Sequence, residues 1–309
     1  MSAAASWTKP VKTRLWQISL TVPVKAEEAA AALLEKIFGK VPVIYTDAET
    51  PMAAVSVYCP KLPRPEGDLG AWLRAGLKQI QSCGLDIGAA RVAMRKVRGE
   101  AWAESWKKHF QPVEIARTLL IKPSWSRRRP RAGQAVVVLD PGLSFGTGQH
   151  PTTAFCLEQL VACRQIGQAR SCLDIGTGSG ILAIAAAKLG YQPVHAFDLD
   201  PVAVRVAKAN ALQNQVEKRI RIFRQDLTRL PLRSVGTFDV VCANLIYDLL
   251  VGQSKRILNR LQPNSTLILA GILKTQLAQV RQVYAAAGLK MIATRTEKEW
   301  RSGAFAFQR

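Results

Sequence analysis

Three groups of residues in this chain have the types and spacing to do chemistry. The first is Asp174-Ile175-Gly176-Thr177-Gly178-Ser179-Gly180, set between an apolar run and an apolar helix-forming stretch. Glycine has no Cβ and tolerates positive φ, so such a turn lets the backbone pass directly beneath a ligand. The helix expected next, Ile181 to Leu189, begins with N–H groups that have no partner inside the helix. The second is Asp198, which ends the short apolar run Val194-His195-Ala196-Phe197 and lies 22 residues after Gly176. That is about the spacing at which an acid meets a ribose diol, and a carboxylate accepts both hydroxyl hydrogens at once. Asp200-Pro201 reads as the cap and first position of the following helix, which leaves Asp198 for a ligand. The third is Asn244, at the end of the buried run that starts at Phe238. Its side-chain carbonyl can accept a hydrogen bond from an amine.

A strand, a glycine turn, a helix and a second strand ending in an acid describe the carboxyl edge of a parallel sheet, where nucleotides bind. The glycines fall at 176, 178 and 180, whereas the dinucleotide fingerprint places its third at 181, here Ile181. The spacing speaks against NAD and for S-adenosylmethionine (AdoMet). Methyl transfer to nitrogen then gives Asn244 a role. The acceptor needs a free lone pair, which a lysine ammonium (pKa near ~10.4) lacks until a proton leaves. An amide oxygen with nearby backbone carbonyls can hold the neutral amine in line with the methyl group. The sulfonium already carries its leaving group, so no strong general base is required.

The elements that position these residues follow an alternating pattern. Strands are expected at 194–198, 220–223, 238–247 and 265–270, with helices at 201–214, 248–261 and 275–287. Leu289–Thr294 and Gly303–Phe307 close the pattern as an antiparallel pair. Together they make a doubly wound, Rossmann-like α/β sheet over residues 132–309. Ahead of it, the apolar run Val136–Leu139 opens Asp140-Pro141-Gly142-Leu143-Ser144-Phe145-Gly146-Thr147-Gly148-Gln149-His150-Pro151-Thr152-Thr153. This stretch is too long and too rich in functional groups for a structural turn. It reads as a lid over the cofactor, with Phe145 and Thr153 facing it.

The front of the chain reads differently. Strands at 15–22, 41–45, 52–59 and 91–98 alternate with helices at 26–38 and 68–83. The order β-α-β-β-α-β predicts a small ferredoxin-like α+β domain over 1–99. It holds no acid/base pair or glycine loop, so it reads as a recognition or dimerisation module. Residues 100–131 read as a linker: a helix with Trp102, Trp106 and Phe110 on one packing stripe, a strand from Leu119, and the exposed basic turn Arg127-Arg128-Arg129-Pro130-Arg131.

Composition sets the outer limits. The 309 residues are 48% hydrophobic, enough for a sizeable core, and no stretch nears the ~20 apolar residues of a membrane span. The first 26 residues are basic without an acid, as in a transit peptide, but Leu15–Val24 alternates like a strand and reads as structure. The six cysteines form no C-x-x-C pair and several sit in apolar runs, which predicts buried free thiols in a reducing cytoplasm. Three histidines without ligand spacing argue against a metal site. The net charge is +21, and residues 1–89 contribute little of it, with 10 Lys+Arg against 8 Asp+Glu. The basic middle and back suit either a solvated surface or contact with RNA.

Taken together, these motifs resemble the ribosomal protein L-eleven methyltransferase family (PrmA). The residues that carry the resemblance are 139–153, 173–186, Asp198-Leu199-Asp200-Pro201, Ala243-Asn244-Leu245 and 265–273, with Glu104–Phe110 and Pro123-Ser124-Trp125 similar to the family's linker. The front is similar only in layout. The resemblance implies AdoMet-dependent methylation of lysine side-chain amines and an N-terminal amine on that ribosomal protein. It implies that Thr153, Gly176, Asp198 and Asn244 contact the cofactor, Gly178 beside them in the turn, and that Asn244 also orients the amine. Phe145 lies in the loop over the site. A monomer is expected. The family's Gly-Cys-Gly turn is Gly176-Thr177-Gly178 here, and the high positive charge departs from the family as well.

Two other functions fit the residues. Asn244-Leu245-Ile246-Tyr247 has the spacing of the Asn-Pro-Pro-Tyr motif of enzymes that methylate exocyclic base nitrogens, so an RNA nucleobase is a second acceptor class, although both prolines are missing. A non-catalytic RNA-binding assembly protein is the third, opposed by the intact Gly176, Asp198 and Asn244.

Overall fold

The computed structural model describes residues 14–39, 42–46, 51–82, 84–98, 111–140, 150–164, 170–232 and 236–307. The chain divides into two compact units, Met1–His109 and Phe110–Arg309.

In the first unit the elements run β1 (Arg14–Pro23), α1 (Glu27–Phe38), β2 (Val43–Thr46), β3 (Met52–Cys59), α2 (Glu66–Ser82) and β4 (Arg91–Arg98). The sheet order is β2-β3-β1-β4 with every neighbour antiparallel, which is the ferredoxin-like arrangement. Period-two alternation decides which face is covered. Ile18, Leu20, Val55 and Val57 turn to the helices and pack on Leu34, Leu69 and Leu73. The opposite face is polar: the Ser19 and Ser56 hydroxyls lie 2.7 Å apart, and Arg95 Nε donates to Gln17 Oε1 at 2.7 Å. The glycine expected to stop α1, Gly39, does so in a left-handed conformation at φ 61°.

The second unit opens with a three-stranded sheet of β5 (Val113–Ile115), β6 (Leu119–Lys122) and β7 (Ala135–Val138), β6 antiparallel to β5 and parallel to β7. The aromatic stripe at 102–110 and the loop 141–149, with Phe145, lie outside the described residues. There follow α3 (Pro151–Ala162), β8 (Cys172–Ile175), α4 (Ile181–Leu189), β9 (Val194–Asp198), α5 (Pro201–Gln213), β10 (Ile220–Arg224) and β11 (Phe238–Asn244). The chain continues through α6 (Tyr247–Gly252), α7 (Ser254–Leu258), β12 (Leu261–Leu273), α8 (Leu277–Ala286), β13 (Leu289–Glu297) and β14 (Trp300–Phe307).

The main sheet has the order β10-β9-β8-β11-β12-β14-β13. All its neighbours are parallel except the pairs made by β14, which runs antiparallel to β12 and to β13. Both faces are covered, as a parallel sheet requires. Cys172, Val194, Ala196, Val240 and Ile268 face one core with α3, α4 and α5. Leu173, Ile175, Val241, Leu267 and Leu269 face the other, with Leu250, Ile257, Val280 and Tyr284 from the later helices. This is the doubly wound fold expected. The single helix expected at 248–261 is two: Gly252 closes the first, and Gln253, at φ −109°, lies outside helical geometry and starts the second. The described cysteines are free, with Cys59, Cys156, Cys172 and Cys242 buried and Cys163 half-buried. Among the described residues, no helix is long and apolar enough to cross a membrane.

Candidate functional site

The strand order reverses between β8 and β11, and there the carboxyl ends of four strands surround a cavity of about 380 Å³. Its lining includes Thr153, Gly176, Gly178, Asp198 and Asn244, so five of the residues singled out in the sequence share one chamber. Phe145 falls outside the described residues.

The turn after β8 is shaped by its glycines, with φ of 72° at Gly176, 53° at Gly178 and 82° at Gly180. Two are also held by contact. A Cβ on Gly176 would stand 2.3 Å from Leu245 Cδ2, and one on Gly180 would stand 3.0 Å from the Ala207 Cβ of α5. The first glycine thus lets Leu245 lie across the turn, and the third lets two helices close on each other. Beneath the turn, Asp174 is fully buried and accepts from Thr177 Oγ1 at 2.6 Å. Burial pushes its carboxyl up to about 6, against the pull of the Thr177 hydroxyl and the Ala183 N–H. Asp174 supports the turn from below.

Asp198 is held before any ligand arrives. Its Oδ2 accepts from Gly178 N at 2.9 Å and its Oδ1 from Asp200 N at 3.0 Å. Asp200 caps α5, accepting from Val202 N at 2.7 Å. The turn and the acid are therefore one bonded unit. Each oxygen of Asp198 keeps a further lone pair for a ligand hydroxyl.

On the opposite wall, His150 caps α3, with Nδ1 2.7 Å from Thr152 Oγ1, and burial lowers its pKa. The cap sets the first turn so that Thr153 meets the cavity. Thr153 is 1% exposed, and its Oγ1 meets no hydrogen-bond partner among the described residues. A buried hydroxyl without a partner costs stability, which points to a polar ligand that supplies one. This observation, with the glycine turn and the pre-set carboxylate, fits a nucleoside-bearing cofactor such as AdoMet.

Asn244 ends β11, beside β8 as expected. Its position depends on a residue the sequence reading missed. Gly271 in β12 has φ 83°, and a Cβ there would be 2.4 Å from the Leu245 carbonyl oxygen and 3.2 Å from Asn244 Oδ1. Two acceptor oxygens therefore converge beside Gly271. The reading also missed Leu199, Gln225, Asp226, Leu227 and Thr228, which line the chamber at the ends of β9 and β10. Thr228 donates its hydroxyl and its N–H to Asp226, each at 2.8 Å, and holds that carboxyl below the usual range. The signal was positional: residues just past a parallel strand's carboxyl end fall in the crevice. Tyr247, the last residue of the Asn-Leu-Ile-Tyr stretch, is not among the residues that line the chamber, and its hydroxyl donates to Gln279 Oε1.

The family model described as ribosomal protein L11 methyltransferase (PrmA) matches residues 14–307. The chain belongs to this family. A PrmA relative from Geobacter metallireducens is 39% identical over 253 residues, covering 82% of this chain and 81% of its own length. One from Streptococcus equi subsp. zooepidemicus is 32% identical over 307 residues, covering 93% and 94%. Among solved structures, ribosomal protein L11 methylase from Lactobacillus delbrueckii subsp. bulgaricus covers 65% of this chain and 100% of that chain, with 29% identity and a TM-score of 0.58. The PrmA match spans both compact units.

Proposed function

We propose that this PrmA-family chain transfers methyl groups from AdoMet to amines of ribosomal protein L11, at lysine side chains and an N-terminal amine. The observation that carries the chemistry is that Asn244 and Leu245, whose Oδ1 and carbonyl oxygen both lie beside Gly271, line the same chamber as Asp198. When bound, AdoMet supplies an electrophilic methyl group on a sulfonium. Asp198 would hold the ribose hydroxyls, and the turn at Gly176 and Gly178 would lie under the cofactor. Asp226 and Gln225 would offer polar groups to the base, with Leu199 and Leu227 as apolar walls. Thr153 Oγ1, which has no partner among the described residues, would gain one.

At the acceptor end, Asn244 Oδ1 and the Leu245 carbonyl accept hydrogen bonds from the amine. Two acceptors would bind the neutral amine's two N–H groups and leave its lone pair free to attack. The amine loses its proton to solvent before it docks, so the transfer itself requires no strong base. Asn244 is the catalytic residue, because it touches the attacking nitrogen.

We assign residues 1–99 to substrate recognition, 100–131 to the connecting segment and 132–309 to catalysis, in a cytoplasmic monomer. Nucleobase methylation finds less support: Leu245 and Ile246 stand where that motif has prolines, and the Tyr247 hydroxyl is engaged by Gln279.

The test is incubation of the purified protein with methyl-labelled AdoMet and purified ribosomal protein L11, followed by digestion. Label released by protease and found by mass spectrometry on lysine and the N-terminal residue is the expected result. Label that appears only when RNA is added, and is released by ribonuclease, overturns the assignment.

A further inference from the structure

The two edges of the main sheet differ in charge. On one side, β13 mixes signs: it carries Lys290, Arg295 and Glu297, and Arg295 pairs with Glu158 from α3. On the other side, β10 and its approach carry Lys218, Arg219, Arg221 and Arg224, all exposed and with no acid on the strand. The helix packed on this edge, α5, adds exposed Arg205 and Lys208. Between residues 201 and 229 the acids are Glu217 and Asp226, and Asp226 is engaged by Thr228 and by Arg229 at 3.6 Å.

The arginine turn expected from the sequence joins this edge. Lys122 Nζ donates to the carbonyls of Ser126 at 3.1 Å and Arg128 at 2.9 Å, which fixes the turn's backbone. Glu114 takes Arg128 and Arg131. Arg127 and Arg129 remain exposed, with no acidic partner among the described residues. The turn is tied to the end of α5 by Asp140, which accepts from Ser124 N at 2.7 Å and from Gln213 Nε2 at 3.3 Å. Asn214 adds two bonds of 2.7 Å to the backbone of Val138. Lys218 and Arg219 follow four and five residues later. The basic side chains therefore form a band from the turn, past the end of α5, and along β10.

Charged side chains on a sheet edge serve to block unwanted strand pairing. That purpose covers Arg221 and Arg224. It does not cover a helix face and a turn that have no strand edge to protect. A run of cations that outnumbers its acids, here Glu217 beside Lys218 and Arg219, is costly through self-repulsion, and it is matched by a partner with regularly spaced anions.

We propose that this band binds the phosphate backbone of RNA. The choice of RNA over other polyanions rests on the substrate assignment, since a ribosomal protein meets the enzyme on or beside RNA. The band would then bring the enzyme to its substrate by a contact separate from the catalytic chamber.

The test reads RNA binding without methylation, so it stands apart from the activity assay. The full chain is titrated into a fluorescein-labelled single-stranded RNA of about 20 nucleotides, and anisotropy is followed across a salt series. Two triple variants carry the same change in net charge. One holds Arg127→Glu, Arg129→Glu and Arg219→Glu in the band; the other holds Lys255→Glu, Arg281→Glu and Lys290→Glu, all exposed and none on the turn, α5 or β10. Melting temperature and AdoMet affinity are measured on both to establish that each is folded. The band variant is expected to bind RNA about tenfold or more weakly, with a shallower salt dependence, each lost phosphate contact removing about 0.7 from the slope of log K against log salt. The second variant is expected to keep the wild-type slope. Equal weakening by both triples, or no RNA binding by the wild type near physiological salt, overturns the proposal.

Discussion

Gly271→Ala tests whether the two acceptor oxygens are placed by the absence of a side chain. Gly271 sits at φ 83°, where an alanine costs about 1–2 kcal/mol. Its Cβ would also stand 2.4 Å from the Leu245 carbonyl oxygen, so that oxygen must retreat by about 1 Å to reach ordinary contact. Asn244 Oδ1, at 3.2 Å from the same point, must give by less. A displacement near 1 Å of a group that orients a nucleophile costs on the order of 10²-fold in rate. Gly288 supplies the control: its φ is 85°, and a Cβ there meets nothing within 4 Å. Gly288→Ala carries the backbone cost alone. Both variants should lose about 1–2 kcal/mol in urea denaturation, Gly271→Ala somewhat more. Only Gly271→Ala should lose about 100-fold in kcat, with AdoMet affinity by calorimetry changed less than about threefold. Full kcat in Gly271→Ala, or an equal loss in Gly288→Ala, would refute the reasoning.

Three further outcomes follow from the site. Asp198→Asn keeps an acceptor for Gly178 N but turns an amide NH2 toward Asp200 N and loses the charge, so AdoMet binding by calorimetry should weaken about 10–100-fold, the worth of hydrogen bonds to a charged group, and stability should fall by about 1 kcal/mol for the lost Asp200 bond. Thr153→Val removes a buried hydroxyl that has no partner among the described residues; stability without cofactor should hold or rise by about 1 kcal/mol while cofactor affinity falls, and an affinity equal to wild type would sink the contact. Asp174 has a folded-state pKa near 6, raised from the ordinary 3.8, so the folded state holds the extra proton between those values and stability falls as pH rises through them. The gap corresponds to about 3 kcal/mol, and urea midpoints from pH 4 to 7 should show that decline in the wild type and not in Asp174→Asn; parallel curves would contradict it.

The parts of the site that the sequence displays are those whose cause is local. The glycine turn needs left-handed φ at Gly176, Gly178 and Gly180, and only glycine takes that conformation routinely, so residue type reveals backbone shape. Asp198 and Asn244 end apolar runs, so their strands announce where they point. Gly271 was hidden because its reason lies in another strand: β12 reads through it from Leu261 to Leu273, and the Leu245 carbonyl that demands glycine arrives only by pairing with β11. Asp226 was hidden because one acid after a strand also suits a helix cap, which it is, accepting from Thr228 N. The pairing of β6 with β7 across a basic turn was equally illegible, since Leu119–Lys122 carries no mark of its partner.

The place of β14 also has a consequence in time. β13 is made first, yet its sheet partner is β14, and β14 alone joins it to β12. As the chain emerges from the ribosome at about 5–20 residues per second, β8 to β12 can assemble while β13 waits with nothing to pair against. Until residue 307 has followed, the edge of β12, rich in Leu267, Ile268 and Leu269, stands open to any passing strand. The window lasts seconds, and each copy of the enzyme passes through it once, as nascent chain, before the sheet closes.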